Sequence, residues 1–390
     1  MIIILGGGLA GSLIALRLAA LKKPPPFLLL DAQATPGGSG NHTWSFHDTD
    51  LPPSCREWML TLCDQSWSSQ EVRFPNLKRI LKAPYHAIRS ESLGAKTVNI
   101  LESRWLPNSR VLTLRTNSHS NEIEITLEDG KKLSSNCVID ARGFDETDLR
   151  SPNAYQTFLG LDLEIDGPHE VLRPRIMDTL ELGQDSQQHD YCFFYLLPWS
   201  ETNLLIENTR YSVNKTIDPV EFEAEIREYC VKKGWKIKNT LRRESGALPI
   251  PLYPYSQPES ESNVIRIGVR SGQFHATTGY SLPFLLRQIA AIVEVFETEE
   301  FPTHDQLKRA LVPSFKLWKK QLRFFCILNR MVFNAALPGQ RWRIFERFYR
   351  LSESLIFKFY RGELSYLDRI KIVWGTPPVP IRLAIRSLFR

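Results

Sequence analysis

The chain of 390 residues is 43% hydrophobic, 24% charged and 11% aromatic, which is ordinary globular composition and excludes disordered, collagen-like and disulfide-scaffold classes. Its 49 Lys and Arg exceed its 43 Asp and Glu by six, but residues 314–390 hold 16 basic and 4 acidic side chains, so the first 313 residues are net −6. An acidic body with a +12 tail points to nucleic acid, a membrane surface or an anionic ligand.

Residues 2–5 (IIIL) are apolar, GGGLAG follows at 6–11, and SLIALRLAALKK then places apolar residues at helical spacing. The pattern predicts strand, glycine turn, helix. PPPFLLLDA adds a second buried strand at 27–30 with Asp31 at its carboxyl end, completing a βαβ unit. Gly6, Gly8 and Gly11 fit GxGxxG: a tight turn, close backbone approach to a pyrophosphate, and helix packing on the strand. The pyrophosphate would sit on free amides at the helix N-terminus, and Asp31 is placed to accept from a ribose hydroxyl. Together these features predict dinucleotide binding.

Residues 37–51, GGSGNHTWSFHDTDL, read as a loop with a task, because they have no regular period yet carry two large aromatics. A hairpin is expected over 122–133 with a DG turn, then a short strand at 137–140 leading into ARG. From about 151 to 250, the runs GLDLEI, YCFFYLLP and TNLLIENTRYS predict an antiparallel sheet, with a helix over 219–233. Glu207 follows the apolar run of LLIENT. Such a glutamate ordinarily faces solvent, whereas burial would raise its pKa and fit it for proton transfer. Asp178 in RIMDT carries the same two readings. Trp44, Phe46, Phe193, Phe194, Tyr195 and Trp199 read as core, or as ring faces lining a cavity that could stabilise a cation.

A late strand at 264–268 and a helix from 283 to 296 return the chain to the nucleotide-binding part. This late return favours FAD over a nicotinamide, although Gly268-Val269-Arg270 lacks the acid that often ends such a strand in flavoproteins. The segment SGQFHATTGYSLP (271–283) combines Gly272, Gln273, Thr278, Gly279 and Tyr280 ahead of the helix. Small residues there admit a flavin ring and helix amides favour negative charge on it; equally, the pattern fits a plain capping loop. From Asp305 onward the chain reads as helical and basic. FKLWKKQLRFFCILNRMVF interleaves cations with rings, as an interfacial surface would, or as a helix packing one face on the body would, and Arg382, Arg386 and Arg390 extend the bias. Six scattered cysteines read as reduced thiols, and eight histidines show no metal-ligand spacing. No run approaches ~18 uncharged apolar residues, so membrane contact is expected to be peripheral. No GxSxG motif suggests a serine hydrolase, and no RNA-recognition or zinc-finger signature accompanies the basic tail.

At this point the sequence resembles the bacterial lycopene β-cyclases of carotenoid biosynthesis. The matching stretches are GGGLAG, GGSGNHTWSFHD, VIDARG, LLIENTRY, SGALPI, SGQFHATTGYSLP, LNRMVF, RWRIFERFYRL and TPPVP. The resemblance implies an α/β fold: a Rossmann-type FAD-binding domain (1–150 with 262–300), an antiparallel-sheet substrate domain (151–261) and a basic helical, membrane-facing region (301–390). It implies an isomerase that requires reduced FAD, with NADPH or NADH as reductant, and that closes the ends of lycopene into rings without net redox change. It also implies that Glu207 does the acid/base work, and that the protein is cytoplasmic and peripheral on the inner face of the membrane. Two residues depart from the family pattern: Ala276 stands in place of a proline, and ARG (141–143) in place of GRG. They bear on loop rigidity more than on chemistry.

Two other readings share these features: a redox flavoprotein such as a monooxygenase or desaturase, and a non-catalytic basic scaffold that keeps its dinucleotide structurally. On the membrane-facing reading, removing residues 314–390 is expected to cost liposome binding before flavin binding.

Overall fold

The computed structural model describes residues 1–34, 41–117, 122–144, 153–180, 191–256, 263–299, 302–375 and 382. The apolar run Ile2–Leu5 forms the centre of a five-stranded parallel sheet, ordered Val264–Arg266, Cys137–Asp140, Ile2–Leu5, Phe27–Leu30, Trp105–Leu106. Parallel strands must be covered on both faces, which is why these strands are nearly continuous in apolar residues. On one face Ile2, Ile4, Leu29 and Ile139 pack with Leu13, Leu286 and Ile289 from the helices Leu9–Ala19 and Leu282–Thr298. On the other, Ile3, Leu5, Leu30 and Val138 pack on Ile123, Ile125 and Leu127 of a three-stranded antiparallel sheet. The expected hairpin is the second half of that sheet, Ile123–Leu127 with Lys132–Ser135.

The second large sheet has seven strands, in the order Ile237–Pro251, Asn153–Ile165, Asn203–Ser212, Tyr191–Pro198, Arg175–Asp178, Gln70–Phe74, Leu77–Leu81. Three of these carry the expected apolar runs. Ile237–Pro251 escapes sequence reading because most of its side chains are at least partly exposed on an edge, so no apolar alternation marks it. Gln70–Phe74 and Leu77–Leu81 come from the N-terminal third and join at the far edge, one of them parallel to its neighbour. The helix Pro219–Lys232, capped by Asp218, covers one face through Phe222, Ile226 and Tyr229.

The opposite face is covered by the tail. Val332, Phe333, Phe345, Ile356 and Phe357 pack with Tyr191, Phe193 and Tyr211 of the sheet. The long helix His304–Arg330 buries Trp318, Leu322, Phe325 and Cys326 against Phe284 and Phe359. The rings of FKLWKKQLRFFCILNRMVF are therefore mostly core, which is the second of the two readings of this stretch: a helix packing one face on the body. Lys316, Lys319, Lys320 and Arg323 lie on the outer side of the helix, as an amphipathic helix requires, whereas Arg330 is buried and donates to the Leu252 carbonyl. TPPVP, Arg386 and Arg390 lie outside the described residues. Among those described, no helix is long and apolar enough to cross a membrane.

Candidate functional site

The glycine turn is built as its spacing predicts. Gly6 has a φ of +96° and a Cβ there would lie 3.0 Å from the Arg142 backbone. At Gly11 a Cβ would meet the Gly6 carbonyl oxygen at 1.8 Å, so only glycine lets the helix rest on the strand end. Gly8 is different: a Cβ there would meet nothing within 4 Å. Gly8 is also the N-cap of Leu9–Ala19, with no side-chain cap and no acidic residue in the first turn. Open space over uncapped helix amides is the cradle a pyrophosphate needs. Asp31 is buried beside it, accepting from the Gln33 amide at 3.1 Å. Its second oxygen lies against Gly7 and Trp105 without a well-aligned donor. Burial raises its pKa. A ribose hydroxyl would supply the missing donor, so these residues fit the adenosine half of FAD.

The late strand is shorter than expected, Val264–Arg266, and the chain then turns through Gly268–Ser271. Val269 follows Gly268 where the acid is lacking, and the next residue, Arg270, places its Nε 3.1 Å from Asp140, already paired with Arg142 at 2.8 Å. Burial opposes the charge on Asp140, but the two arginines outweigh it and hold the carboxyl below its usual range. Gly272 (φ +73°) and Gly279 (φ +69°) shape the loop that follows. Gly279 is pressed on Leu248 of the seven-stranded sheet, where a Cβ would sit 2.6 Å from the Leu248 Cβ. Tyr211 from the same sheet donates to the Thr277 carbonyl at 3.1 Å, and Tyr255 to that of Gly272 at 2.7 Å.

The tail holds this loop from the other side. Ser314 donates to Gln273, Trp318 to the Phe274 carbonyl, and Asn329 to the Ala276 carbonyl at 2.8 Å. His275 bonds the Phe359 carbonyl at 2.9 Å. Fixing the Ala276 carbonyl supplies the rigidity that the missing proline left in question. These contacts also correct the expectation for the tail: removing residues 314–390 would strip the support of the glycine loop, so flavin binding should be lost along with any membrane binding.

Facing the loop is one side of the seven-stranded sheet. Glu207 lies within the strand Asn203–Ser212, not after its end, paired with Gly160 on one side and Tyr195 on the other. Alternation sends Leu205, Glu207, Thr209 and Tyr211 to this face and Asn208 to the other, under the helix, where it bonds Glu225 at 2.7 Å. Desolvation pushes the Glu207 carboxyl up to about 7, although Thr209 donates to it at 2.5 Å. The side chain keeps partial exposure, so it is dry but reachable. The Tyr195 hydroxyl meets Ser45 at 2.5 Å and the Tyr85 hydroxyl at 3.0 Å. Burial pushes Tyr85 up to about 12, so it stays a neutral donor.

Residues 43–51 are not a loop throughout. Thr43–His47 is a strand paired with Tyr85–Arg89, its aromatics alternating, and it brings Ser45 to Tyr195. Residues 37–40 of the expected loop lie outside the described residues. Beyond this strand Asp50 is buried, accepting from Tyr280 at 2.8 Å and from the His47 amide at 3.0 Å. Desolvation lifts it to about 7 despite these donors and the nearby Arg361 and Arg287.

Two more of the sequence-predicted residues lie away from this space. Phe194 packs under the helix Pro219–Lys232, on the face away from Glu207, and cannot line the same space as Phe193. Asp178 is structural: it is fully buried, 3.5 Å from Arg175 and 3.0 Å from the Tyr229 hydroxyl. Glu244 and Asp50, buried carboxyls beside Glu207 and Tyr280, were missed. Glu244 sits among arginines in a polar stretch, and Asp50 stands in the quoted motif without an apolar run to mark it.

The chain matches the lycopene cyclase protein family over residues 1–386. Curated relatives include a lycopene beta-cyclase of Pseudescherichia vulneris, 38% identical across 99% of this chain and 96% of the relative. A lycopene beta-cyclase of Pantoea ananas is 36% identical across 99% and 97%. Solved structures share the fold at low identity. HpxO of Klebsiella pneumoniae, complexed with FAD and uric acid, has a TM-score of 0.65 at 13% identity over 93% of this chain and 96% of that one. A geranylgeranyl bacteriochlorophyll reductase-like protein of Thermoplasma acidophilum has a TM-score of 0.63 at 13% identity, covering 100% and 98%. With the family profile spanning nearly the whole chain and relatives matching end to end, the chain belongs to the lycopene cyclase family.

Proposed function

We propose that the protein is a flavin-dependent lycopene β-cyclase that closes linear polyene ends into β-rings with no net redox change. The observation that carries the mechanism is Glu207: a carboxyl lifted to about 7, reachable from a dry face lined by Tyr195, Phe193 and Tyr211. At neutral pH it holds a proton for a large fraction of the time, which an ordinary glutamate does not. It protonates the terminal double bond; the neighbouring double bond then attacks the tertiary cation; the ring carbon loses its proton to the same region. The buried aromatic rings exclude water, which would quench the cation, and turn their faces to positive charge.

Gly6, Gly8, Gly11 and Asp31 would hold the adenosine and pyrophosphate of FAD, and Gly272, Gln273, Thr278, Gly279 and Tyr280 would border its ring. When bound in its reduced form, supplied with electrons by NADPH or NADH, the flavin contributes negative charge near the cation. Tyr280 is held by Asp50, so the loop presents a fixed, neutral phenol there. The test is anaerobic incubation of the purified protein with lycopene in liposomes, FAD and NADPH. γ-Carotene or β-carotene is expected; a flavin-loaded protein that forms neither would end the reading.

Lycopene dissolves only in the bilayer, so the protein must dock there, on the inner face of the cytoplasmic membrane in this reading. The exposed apolar residues on the helix Tyr366–Val373 and at its C-cap suit this: Trp374 is 77%, Tyr366 75% and Leu367 67% exposed, beside Lys371. Apolar tips among cations match an anionic lipid surface. Substituting Leu367 and Trp374 by serine is expected to weaken sedimentation with anionic liposomes about tenfold, on the order of 1.4 kcal/mol. Flavin content should not change; unchanged sedimentation would move the docking surface elsewhere.

A further inference from the structure

Four residues stand in one row across the seven-stranded sheet. Glu244 is opposite Gly160, Gly160 opposite Glu207, and Glu207 opposite Tyr195. Directly paired residues share a face, so both glutamates point to the same side. Their backbones are two strand spacings apart, roughly 10 Å. Between them is a residue with no side chain. A Cβ at position 160 would lie 3.0 Å from the Glu244 Cγ and 3.3 Å from its Oε1. Glu244 therefore leans across the glycine towards Glu207, through space that any other residue would fill.

The other Glu244 oxygen is buried and accepts no hydrogen bond. Its ion partner, Arg242, stands 3.4 Å away and is shared with Asp162 at 2.7 Å and Glu91 at 3.8 Å. From the adjoining strand, Thr43 also donates to Glu244, while His42 is held neutral by burial and by Arg242. Arg89 faces Asp162 at 3.6 Å. On the Glu207 side stand Thr209, Tyr195 and Tyr85. Glu244 thus has half a counter-ion and a carboxyl neighbour.

We propose that Glu244 and Glu207 share one proton across Gly160 and work as a single acid pair, Glu207 meeting the substrate and Glu244 acting as its positioning partner. This rests on the reading of Glu207 as proton donor. Two carboxylates in a dry site cannot both ionise cheaply, so the pair retains a proton at neutral pH. Desolvation and Glu207 together lift Glu244 to about 8. In each ring closure one proton leaves the pair for the double bond and one returns from the ring carbon. The pair ends as it began, and no reductant is consumed.

Infrared difference titration of the full-length, flavin-loaded protein reads the buried carboxyl bands without turnover. In Glu244→Gln the last proton of the site should come off about one pH unit lower than in the wild type, because Glu207 then ionises with no carboxylate beside it. Glu207→Gln should lower the Glu244 band likewise, and the double substitution leaves Asp50 as the control. If each glutamate titrates at its wild-type pH when the other is replaced, the pair is overturned. In turnover, Glu244→Gln should bring the alkaline limb of kcat down by the same unit with KM unchanged, and Glu244→Asp should restore part of it. An unmoved limb also overturns the proposal. Should Glu244→Gln fail to fold, Gly160→Ala displaces the Glu244 carboxyl and must give the same downward shift. A wild-type holoenzyme that forms no ring product would instead end the cyclase reading, and the infrared titration would still decide the pair.

Discussion

Replacing Glu207 by Gln is expected to abolish ring closure, a loss of at least about 100-fold, while bound flavin and the fold are retained. The magnitude is that of removing a positioned general acid. Gln fills the same volume beside Gly160 and Tyr195 and can still accept from Thr209, but it has no proton to give. The wild-type rate should fall as pH rises through about 7, where the Glu207 carboxyl ionises. The same shift bears on stability. From the ordinary glutamate value of 4.5 up to about 7 the folded chain keeps a proton that the unfolded chain has released. Folding stability attributable to Glu207 is therefore present at low pH and lost as pH rises through this window. Glu207→Gln should accordingly melt above the wild type at pH 8 and level with it at pH 4. Full activity in the variant would remove Glu207 from the chemistry.

The second large effect belongs to the glycine turn, where two substitutions of equal size should separate. Gly8→Ala places a methyl in open space at a backbone conformation of φ −74°, ψ −166°, which alanine accepts. The apoprotein should melt as the wild type does. The methyl would stand where the pyrophosphate approaches, so FAD binding should weaken about 100-fold, roughly 2.7 kcal/mol. Gly11→Ala drives its methyl to 1.8 Å from the Gly6 carbonyl oxygen, forcing helix from strand. It should cost stability before any cofactor is added, on the order of 1–3 kcal/mol. Fluorescence titration of FAD and thermal melting, read side by side, check both. A Gly8→Ala protein with wild-type FAD affinity would place the cofactor elsewhere.

The nucleotide half of the fold was legible because its signals are local. Strand, glycines, helix, strand and acid fall within some thirty residues, each with a physical role that reads directly from residue type. The substrate face was legible only where a strand is apolar. Leu204–Ile206 announced the strand that holds Glu207, but the edge strand Ile237–Pro251 has its side chains largely outside the core, and with it Glu244 was hidden. Asp50 and Tyr280 lie 230 residues apart and meet through tertiary packing alone. The tail stayed ambiguous for a different reason. Aromatic residues among cations are the signature of an interfacial helix and equally of an amphipathic helix laid on a large body; Trp318, Phe325 and Phe345 belong to the second. Charge counting found the asymmetry, but only contacts with Gln273, Phe274 and Ala276 reveal that the basic tail is also the support of the glycine loop.

Proton chemistry without net redox change is the claim on which the account turns, and solvent deuterium reads it directly. Lycopene should be cyclised in D2O, anaerobically, by protein whose flavin has been reduced beforehand and with no further reductant. Many turnovers per flavin are expected, and a product that carries one deuterium for each ring formed, with no hydrogen or oxygen gained or lost beyond that exchange. Turnover that stops after one product per reduced flavin, or a product whose mass has changed by oxygen or by a pair of hydrogens, would contradict it.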